Sequence, residues 1–431
     1  MRTRTMVTIA GYLWLAPAIF SQVPVDVAGL VNQLGSRDYR VREKADAGLK
    51  AIGPRSLPQL QSALAANESP EVQRRLEALI EKFRAERLTS ATRVTVNAKN
   101  EEVRDVLKGM CQQAGYVFTE NVNSDLKVTL ELKDVPFWVA VEKITAGTGI
   151  ATGFLDDDRR TFTAYSGNQI NPHVFCNGPF RFVASNINTS RNLQLANLPM
   201  RGQPQVRNNE YLNLNVQFYA EPKCPVVSVG TAVVTEASDD LGVSLVPQKV
   251  EAQSLPETRF YHGSMYKSLN QSFSVNLARG DRQATSIKEL TGKVNLLLLS
   301  ETRPELVIEN VTVPGKKKAI GDTVEMEVLD LGEANGGYEL NVIFRQVKPK
   351  PNEHGWWGNV YQRLELTDEK GAKFQASGVN EQKIGTGEVT IKLSYLPPEG
   401  KAMGKPRKLA LMEWVTIEKS FEFTFKNIPL P

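Results

Sequence analysis

Histidine is scarce in this chain, and the net charge is small. The 431 residues include three histidines, His173, His262 and His354, and no G-x-S-x-G motif places a serine nucleophile near any of them. A Ser-His-Asp hydrolase is therefore not predicted. A net charge of +4 over this length gives little support for a polyanionic partner, so we expect no nucleic-acid binding.

Cysteine is equally scarce, and an odd number of thiols cannot all pair within one chain. Cys111 lies at helical spacing with Leu107 and is interpreted as a buried thiol. Cys176 and Cys224 remain as a candidate disulfide of an exported protein, although spacing alone leaves their separation open. A metal site built from His173, Cys176, Cys224 and His262 is less favoured, because structural zinc usually shows two close ligand pairs. No cofactor is predicted.

Long apolar runs are absent except near the start of the chain. Arg2 and Arg4 precede the uncharged run 6–20, and Ala16-Pro17-Ala18 offers small residues for cleavage. Residues 1–21 are predicted to be a signal peptide, which implies export to the periplasm, the envelope or the exterior. A retained membrane anchor is the alternative, but the run is shorter than the roughly 20 residues of a spanning helix. No later segment is predicted to span a membrane.

Two acidic clusters, Asp156-Asp157-Asp158 and Asp239-Asp240, are the visible candidates for paired catalytic carboxylates. Acidic runs in loops are more often solvated turns. The glycine-rich stretch 147–153 follows a predicted helix, whereas a phosphate loop precedes one. We therefore predict no catalytic residues and expect that the protein is not an enzyme.

Residues 26–88 are predicted to form about four short helices. Ser69-Pro70-Glu71 is a strong helix start, and an apolar stripe including Leu76, Leu79 and Phe83 follows it. The pattern from Leu34-Gly35-Ser36 to Ala45 resembles HEAT-type repeats. Because two helical pairs are fewer than a free solenoid needs, the resemblance implies packing against the next domain or a partner.

A sequence repeat of 34 residues follows, in which Val94-Thr95-Val96 aligns with Val128-Thr129-Leu130 and Gly115-Tyr116 with Gly149-Ile150. Each copy reads as a strand, a helix and a second strand, so a helical tetratricopeptide array is not favoured. Asn100 and Asp134 are expected to provide the polar starts of the two helices.

Residues 92–165, with helices ending at Gly115 and Gly149, resemble the short N-terminal module of secretins and TonB-dependent receptors. The resemblance implies a small α+β domain, with two helices between small sheets, that docks to other proteins. No series of strands of bilayer length is found behind it, so the membrane barrel of those families is not predicted.

The rest of the chain is predicted to be almost entirely β, as two sandwich-like domains at 171–303 and 304–431 divided near Arg303-Pro304. Alternating runs such as 212–218 and 421–425 each imply a sheet with one solvated face. Trp356 and Trp357 lie in a predicted loop and are a candidate contact surface for glycan or protein, or else caps of the sandwich core.

The sequence thus predicts a multidomain protein with N-terminal helical pairs, a small α+β module and two β-sandwich-like domains. The favoured hypothesis is a non-enzymatic envelope protein that binds or scaffolds envelope proteins or glycans. The alternative is a surface carbohydrate-binding or carbohydrate-active protein that uses the C-terminal sandwich.

Overall fold

The computed structural model describes residues 26–121, 126–156, 160–166, 171–194, 207–247, 267–312, 317–348, 359–385, 387–398 and 400–431. The chain divides into two compact units, Met1–Arg87 and Leu88–Pro431. Helices come first and β-sheet dominates after them, which confirms the predicted fold class. The predicted signal peptide at 1–21 lies outside the described residues.

The first unit is helical. It holds α1 (Val27–Leu34), α2 (Tyr39–Ile52), a 3₁₀ turn (Gly53–Ser56), α3 (Leu57–Ala66) and most of α4 (Pro70–Thr89). The Asp26 and Asp38 carboxylates cap α1 and α2, each accepting a backbone N–H bond of 2.8 Å. The core consists of side chains from all four helices, including Leu34, Leu49, Leu60, Leu76 and Phe83. No helix in the described part of the chain is long and apolar enough to cross a membrane.

The second unit begins with an α+β module. Its elements are β1 (Arg93–Glu102), α5 (Val103–Ala114), β2 (Val117–Asn121), β3 (Lys127–Pro136), α6 (Phe137–Thr148), β4 (Ile150–Asp156) and β5 (Thr161–Ser166). Strands β1 and β3 pair antiparallel, and a three-stranded sheet has the order β2-β5-β4. The module therefore contains two strand-helix-strand copies.

The 34-residue repeat also appears in the backbone. Asn100 and Asp134 have φ values of 55° and 54°, and Gly115 and Gly149 have φ values of 80° and 69°. The glycines end α5 and α6 in the left-handed conformation that favours glycine. Asn100 and Asp134 do not cap the helices as expected. Each turns the chain before the helix, and the cap positions, Glu102 and Pro136, provide no side-chain bond.

The remaining strands are β6 (Val174–Asn177), β7 (Phe180–Gln194), β8 (Arg207–Ala220), β9 (Val226–Val229), β10 (Val233–Asp239), β11 (Asn270–Leu277), β12 (Ser286–Glu309), β13 (Lys317–Ile320), β14 (Val324–Ala334), β15 (Gly337–Gln346), β16 (Leu364–Asp368), β17 (Gln375–Gly385), β18 (Glu388–Leu396) and β19 (Pro406–Pro429). They form sheets with the orders β11-β8-β7-β6, β10-β12-β19-β16 and β13-β14-β15-β18-β17, and β9 also pairs with β12.

The first sandwich is a pair of packed sheets, in which the β11-β8-β7-β6 sheet lies against β10, β12 and β19. Aromatic rings fill the space between the sheets: Phe423 of β19 lies 5.3 Å from Phe273 and 6.3 Å from Phe182, measured between ring centroids. In the second pair, the β13-β14-β15-β18-β17 sheet covers the other halves of β12 and β19 together with β16. The core there includes Leu306, Ile308, Leu366, Leu409, Leu411, Val342, Phe344, Ile391 and Leu393.

Strands β12 and β19 belong to both sandwiches. They pair antiparallel from Ser286 opposite Pro429 to Glu309 opposite Lys408, and each has 24 residues. The boundary predicted near Arg303-Pro304 therefore falls inside a continuous strand. Residues 304–431 do not form a separate sandwich, because Phe421, Phe423 and Phe425 return to the core of the first one.

The two sandwiches share a turn motif that the sequence analysis did not identify. Asp239 and Asp368 each accept two N–H bonds through Oδ1, from the residues two and four positions later. A glycine with positive φ, Gly242 or Gly371, lies three positions after each aspartate. Residues 237–245 thus correspond to residues 366–374.

A second correspondence lies where β12 and β19 end. Asn310 and Asn427 have φ values of 52° and 54°, and each is followed by a buried residue, Val311 or Ile428. Strand β10 pairs with β12, whereas β16 pairs with β19. The two sandwiches therefore share these local features, and each completes one sheet with half of β12 and half of β19.

Candidate functional site

A cavity lies on the outer face of the second sandwich. It has a volume of about 560 Å³. We call it the outer groove, and it is lined by Pro304, Glu309, Glu365, Thr367, Asp368, Glu369, Gly371, Arg407, Lys408, Ala410 and Met412.

Strand alternation explains why these side chains face outward. Leu409 and Leu411 point into the core, so the intervening Lys408, Ala410 and Met412 occupy the opposite face of β19. The register aligns Ala410 with Glu365 of β16 on one side and with Val307 of β12 on the other. Three strands thus build one continuous floor.

The floor of the outer groove is apolar and its walls are charged. Of the apolar residues that line it, Ala410 and Met412 are buried and Pro304 is exposed. Glu365 pairs with Lys373 at 2.7 Å, and Glu309 lies 4.0 Å from Lys408. An apolar floor between charges of both signs suits an extended ligand that carries alternating apolar and charged groups.

The Asp368 turn fixes one rim of the outer groove. Its Oδ2 accepts the Gly404 N–H at 3.0 Å, while Oδ1 accepts the N–H groups of Lys370 and Ala372 at 2.9 and 2.8 Å. Backbone hydrogen bonds lower the pKa of the Asp368 carboxyl, chiefly the one from Gly404 and then those from Ala372 and Lys370. Burial opposes this shift. The lowered pKa favours the ionised carboxylate, which is the form that accepts these three bonds at the rim.

Side chains of the α+β module anchor it to the first sandwich. The Tyr116 hydroxyl donates to the Ala220 carbonyl at 2.7 Å, and the Trp138 indole N–H donates to the Pro179 carbonyl at 3.1 Å. Arg181 and Glu142 form an ion pair of 2.5 Å. Buried bonds of this kind fix the orientation of one module on the other.

Glu221 completes this junction. Both of its carboxylate oxygens lie within 3.0 Å of the Thr92 N–H, and Lys223 lies 3.4 Å away. Close to it, Gly178 has φ 55°, and a Cβ there would lie 2.6 Å from the Thr89 carbonyl oxygen. Only glycine allows the two chain segments to approach so closely.

The three cysteines are free thiols in the structure, which does not join Cys176 to Cys224. Cys176 lies half-buried on edge strand β6, and Cys224 lies buried in the turn after β8. Burial raises the pKa of Cys176 to about 12 and that of Cys111 and Cys224 further. These thiols are therefore poor nucleophiles, and the disulfide stays a prediction.

The remaining predicted residues are dispersed. Trp356, Trp357, His262 and His354 lie outside the described residues. His173 contacts the Lys426 carbonyl at 3.2 Å, and within the described ranges no group of three or more potential ligands is placed to hold a metal ion. Asp239 and Asp240 lie in a turn, each accepting backbone N–H bonds.

Neither a protein-family model nor a curated protein matches the chain. The outer groove was not predicted from the sequence, because its residues alternate with core residues and resemble the solvated face of a sheet. The repeated Asp-x-x-Gly spacing at Asp239 and Asp368 was the available signal.

Proposed function

We propose that this chain is a non-enzymatic protein of the cell envelope that binds envelope proteins or glycans along a rigid β support. The observation that carries the proposal is that β12 and β19 each run through both sandwiches as one strand, with register shifts in their pairing between Leu299 and Glu301 and between Pro304 and Leu306. At the usual rise per residue, a strand of 24 residues spans at most roughly 80 Å. A paired ribbon of this length keeps binding surfaces at a fixed separation.

The junction at Tyr116, Trp138 and Glu221 extends that support to the α+β module. Two helices between a two-stranded and a three-stranded sheet are consistent with the resemblance to the secretin-type module, which implies docking to other proteins. Export is inferred from the sequence of residues 1–21.

The outer groove is the proposed contact surface for a partner. Its apolar floor supplies buried area, and the charges on its walls select the orientation of the ligand. The alternative of glycan binding or processing by the C-terminal sandwich rests on Trp356 and Trp357, which lie outside the described residues.

Capture experiments with the full chain test this proposal. Glu365→Lys reverses a charge in the outer groove and should reduce retention of a specific envelope partner by at least roughly tenfold. Glu339→Lys is the matched control, because Glu339 is also a partly exposed glutamate paired with a lysine, Lys392 at 3.0 Å, and lies outside the outer groove.

Recovery of no specific partner by the wild-type chain would contradict the binding function. Equal retention by the wild type and both variants would exclude the outer groove as the contact surface.

A further inference from the structure

A cavity of about 470 Å³ lies at one end of the second sandwich, beside the turn that joins β14 to β15. We call it the end cavity. Its walls include Glu333, Tyr338, Phe374, Pro397 and Met403. None of these residues lines the outer groove.

Strand register places Glu333 and Tyr338 on the inner face of their sheet. The two residues are direct partners across β14 and β15, and the next pair on that face is Leu331 with Leu340. Leu340 is fully buried, and Leu331 and Tyr338 pack against the same core. Glu333 therefore lies on the core side of the sheet, at the end where it remains exposed.

Two aromatic rings line the end cavity with this carboxylate. The ring centroids of Tyr338 and Phe374 lie 5.4 Å apart, and their planes are inclined at 80°. Phe374 is 6% exposed, whereas Tyr338 is half-buried, so Tyr338 offers more ring surface to a ligand. Met403 packs against the same core and adds a polarisable thioether to the wall.

The charge of the end cavity is negative. Among the described residues that line it, Glu333 alone is charged, and no basic side chain in the described ranges pairs with it. Burial and then the Glu333 charge raise the pKa of the Tyr338 hydroxyl. The carboxylate thus acts electrostatically on the neighbouring ring.

A carboxylate beside aromatic and thioether groups matches a methylated ammonium group. A ring face attracts such a cation when the two lie within about 6 Å of each other. The methyl groups of the cation suit the apolar surfaces of Pro397 and Met403. A primary ammonium is more strongly hydrated and would lose more of that hydration against the same walls.

We propose that the end cavity binds a methylated ammonium cation, with Glu333 as its charge partner and Tyr338 as its ring contact. This site is separate from the outer groove and does not depend on partner binding there. Failure of partner capture and failure of cation binding are therefore distinct results.

Isothermal titration of the full chain with choline at low ionic strength tests the proposal. Dimethylbutanol, in which carbon replaces the nitrogen of choline, keeps the shape and removes the charge. Ethanolamine keeps the charge and removes the methyl groups. Choline should bind saturably, and both comparison ligands should bind at least roughly tenfold more weakly. Displacement of choline by phosphatidylcholine vesicles would assign the cation to a lipid headgroup, and no displacement would assign it to a free molecule.

Glu333→Gln should weaken choline binding roughly tenfold, because the charge partner of the cation is lost, and should leave dimethylbutanol unchanged. Glu236→Gln is the matched control, since Glu236 is also an exposed strand glutamate and lies on β10 of the first sandwich. The control should bind choline as the wild type does. Circular dichroism checks that each variant is folded.

Tyr338→Leu tests the ring contact, because it removes the aromatic face and keeps an apolar side chain. Choline binding should weaken roughly threefold or more. Tyr338→Phe keeps the ring and should retain the wild-type affinity.

Absence of saturable choline binding, or equal losses in Glu333→Gln and Glu236→Gln, would overturn the proposed site. Equal affinities for choline and dimethylbutanol would overturn the cation assignment, and equal affinities for choline and ethanolamine would overturn the preference for methyl groups. Wild-type affinity in Tyr338→Leu would overturn the ring contact.

Discussion

Glu221 shows how one carboxylate connects two modules at an energetic cost. The side chain has no solvent exposure and holds the Thr92 N–H with both oxygens. Burial raises the pKa of Glu221, while the Thr92 bonds and Lys223 oppose that shift. The folded chain therefore binds this proton more tightly than the unfolded chain does.

The pH dependence of Glu221→Gln follows from that shift. As pH rises from the ordinary glutamate pKa of about 4.3 through the raised folded value, the wild type should lose stability that the uncharged variant keeps. A tenfold difference in proton affinity corresponds to about 1.4 kcal/mol. Urea unfolding of both proteins between about pH 4 and 7 measures the difference.

Lys223→Gln should steepen the same loss, because the cation that lowers the Glu221 pKa is removed. A difference between wild type and Glu221→Gln that is independent of pH, or that has the opposite sign, would contradict the assignment.

At the scale of elements, the ends of β12 and β19 share a backbone conformation that substitution can test. Asn310 and Asn427 adopt left-handed backbone conformations, which asparagine tolerates and β-branched residues do not. Asn427→Val should lower the free energy of unfolding by about 1–2 kcal/mol, and Asn310→Val by a similar amount. Denaturant titration of each variant checks this.

Asn427→Gly is the control, because it removes the same side chain and fits the same φ. If glycine destabilised as much as valine, the cause would be a lost side-chain contact and not the backbone conformation.

Local patterns made most individual elements predictable. The Ser69-Pro70 signal marks the start of α4, and Gly115 and Gly149 end α5 and α6, because caps depend on neighbouring residues in sequence. The role of Asn100 and Asp134 was not predictable in the same way. A polar residue near a helix start suits either a cap or a left-handed turn, and only the backbone distinguishes them.

Long-range pairing explains what the sequence could not predict. A domain boundary was predicted near Arg303-Pro304, but this segment continues β12 and pairs with β19 more than 100 residues later. The outer groove depends on the same register. Its residues become neighbours only after distant strands have paired.

At the scale of the whole molecule, the exchanged strand halves predict that the two sandwiches unfold together. Leu393 is fully buried in the second core, so Leu393→Ala should cost about 2–5 kcal/mol. Melting of the second core releases one half of β12 and one half of β19, and the other halves are layers of the first core. Hydrogen exchange should therefore show equal losses of protection in β7 and β8 and in β15 and β18.

Val379→Ala serves as the control, because Val379 lies on edge strand β17 and is 37% exposed. Little change is expected in either core. If β7 and β8 kept wild-type protection while β15 and β18 lost it, the shared strands would transmit no stability between the sandwiches. The proposed rigid support would then lose its physical basis.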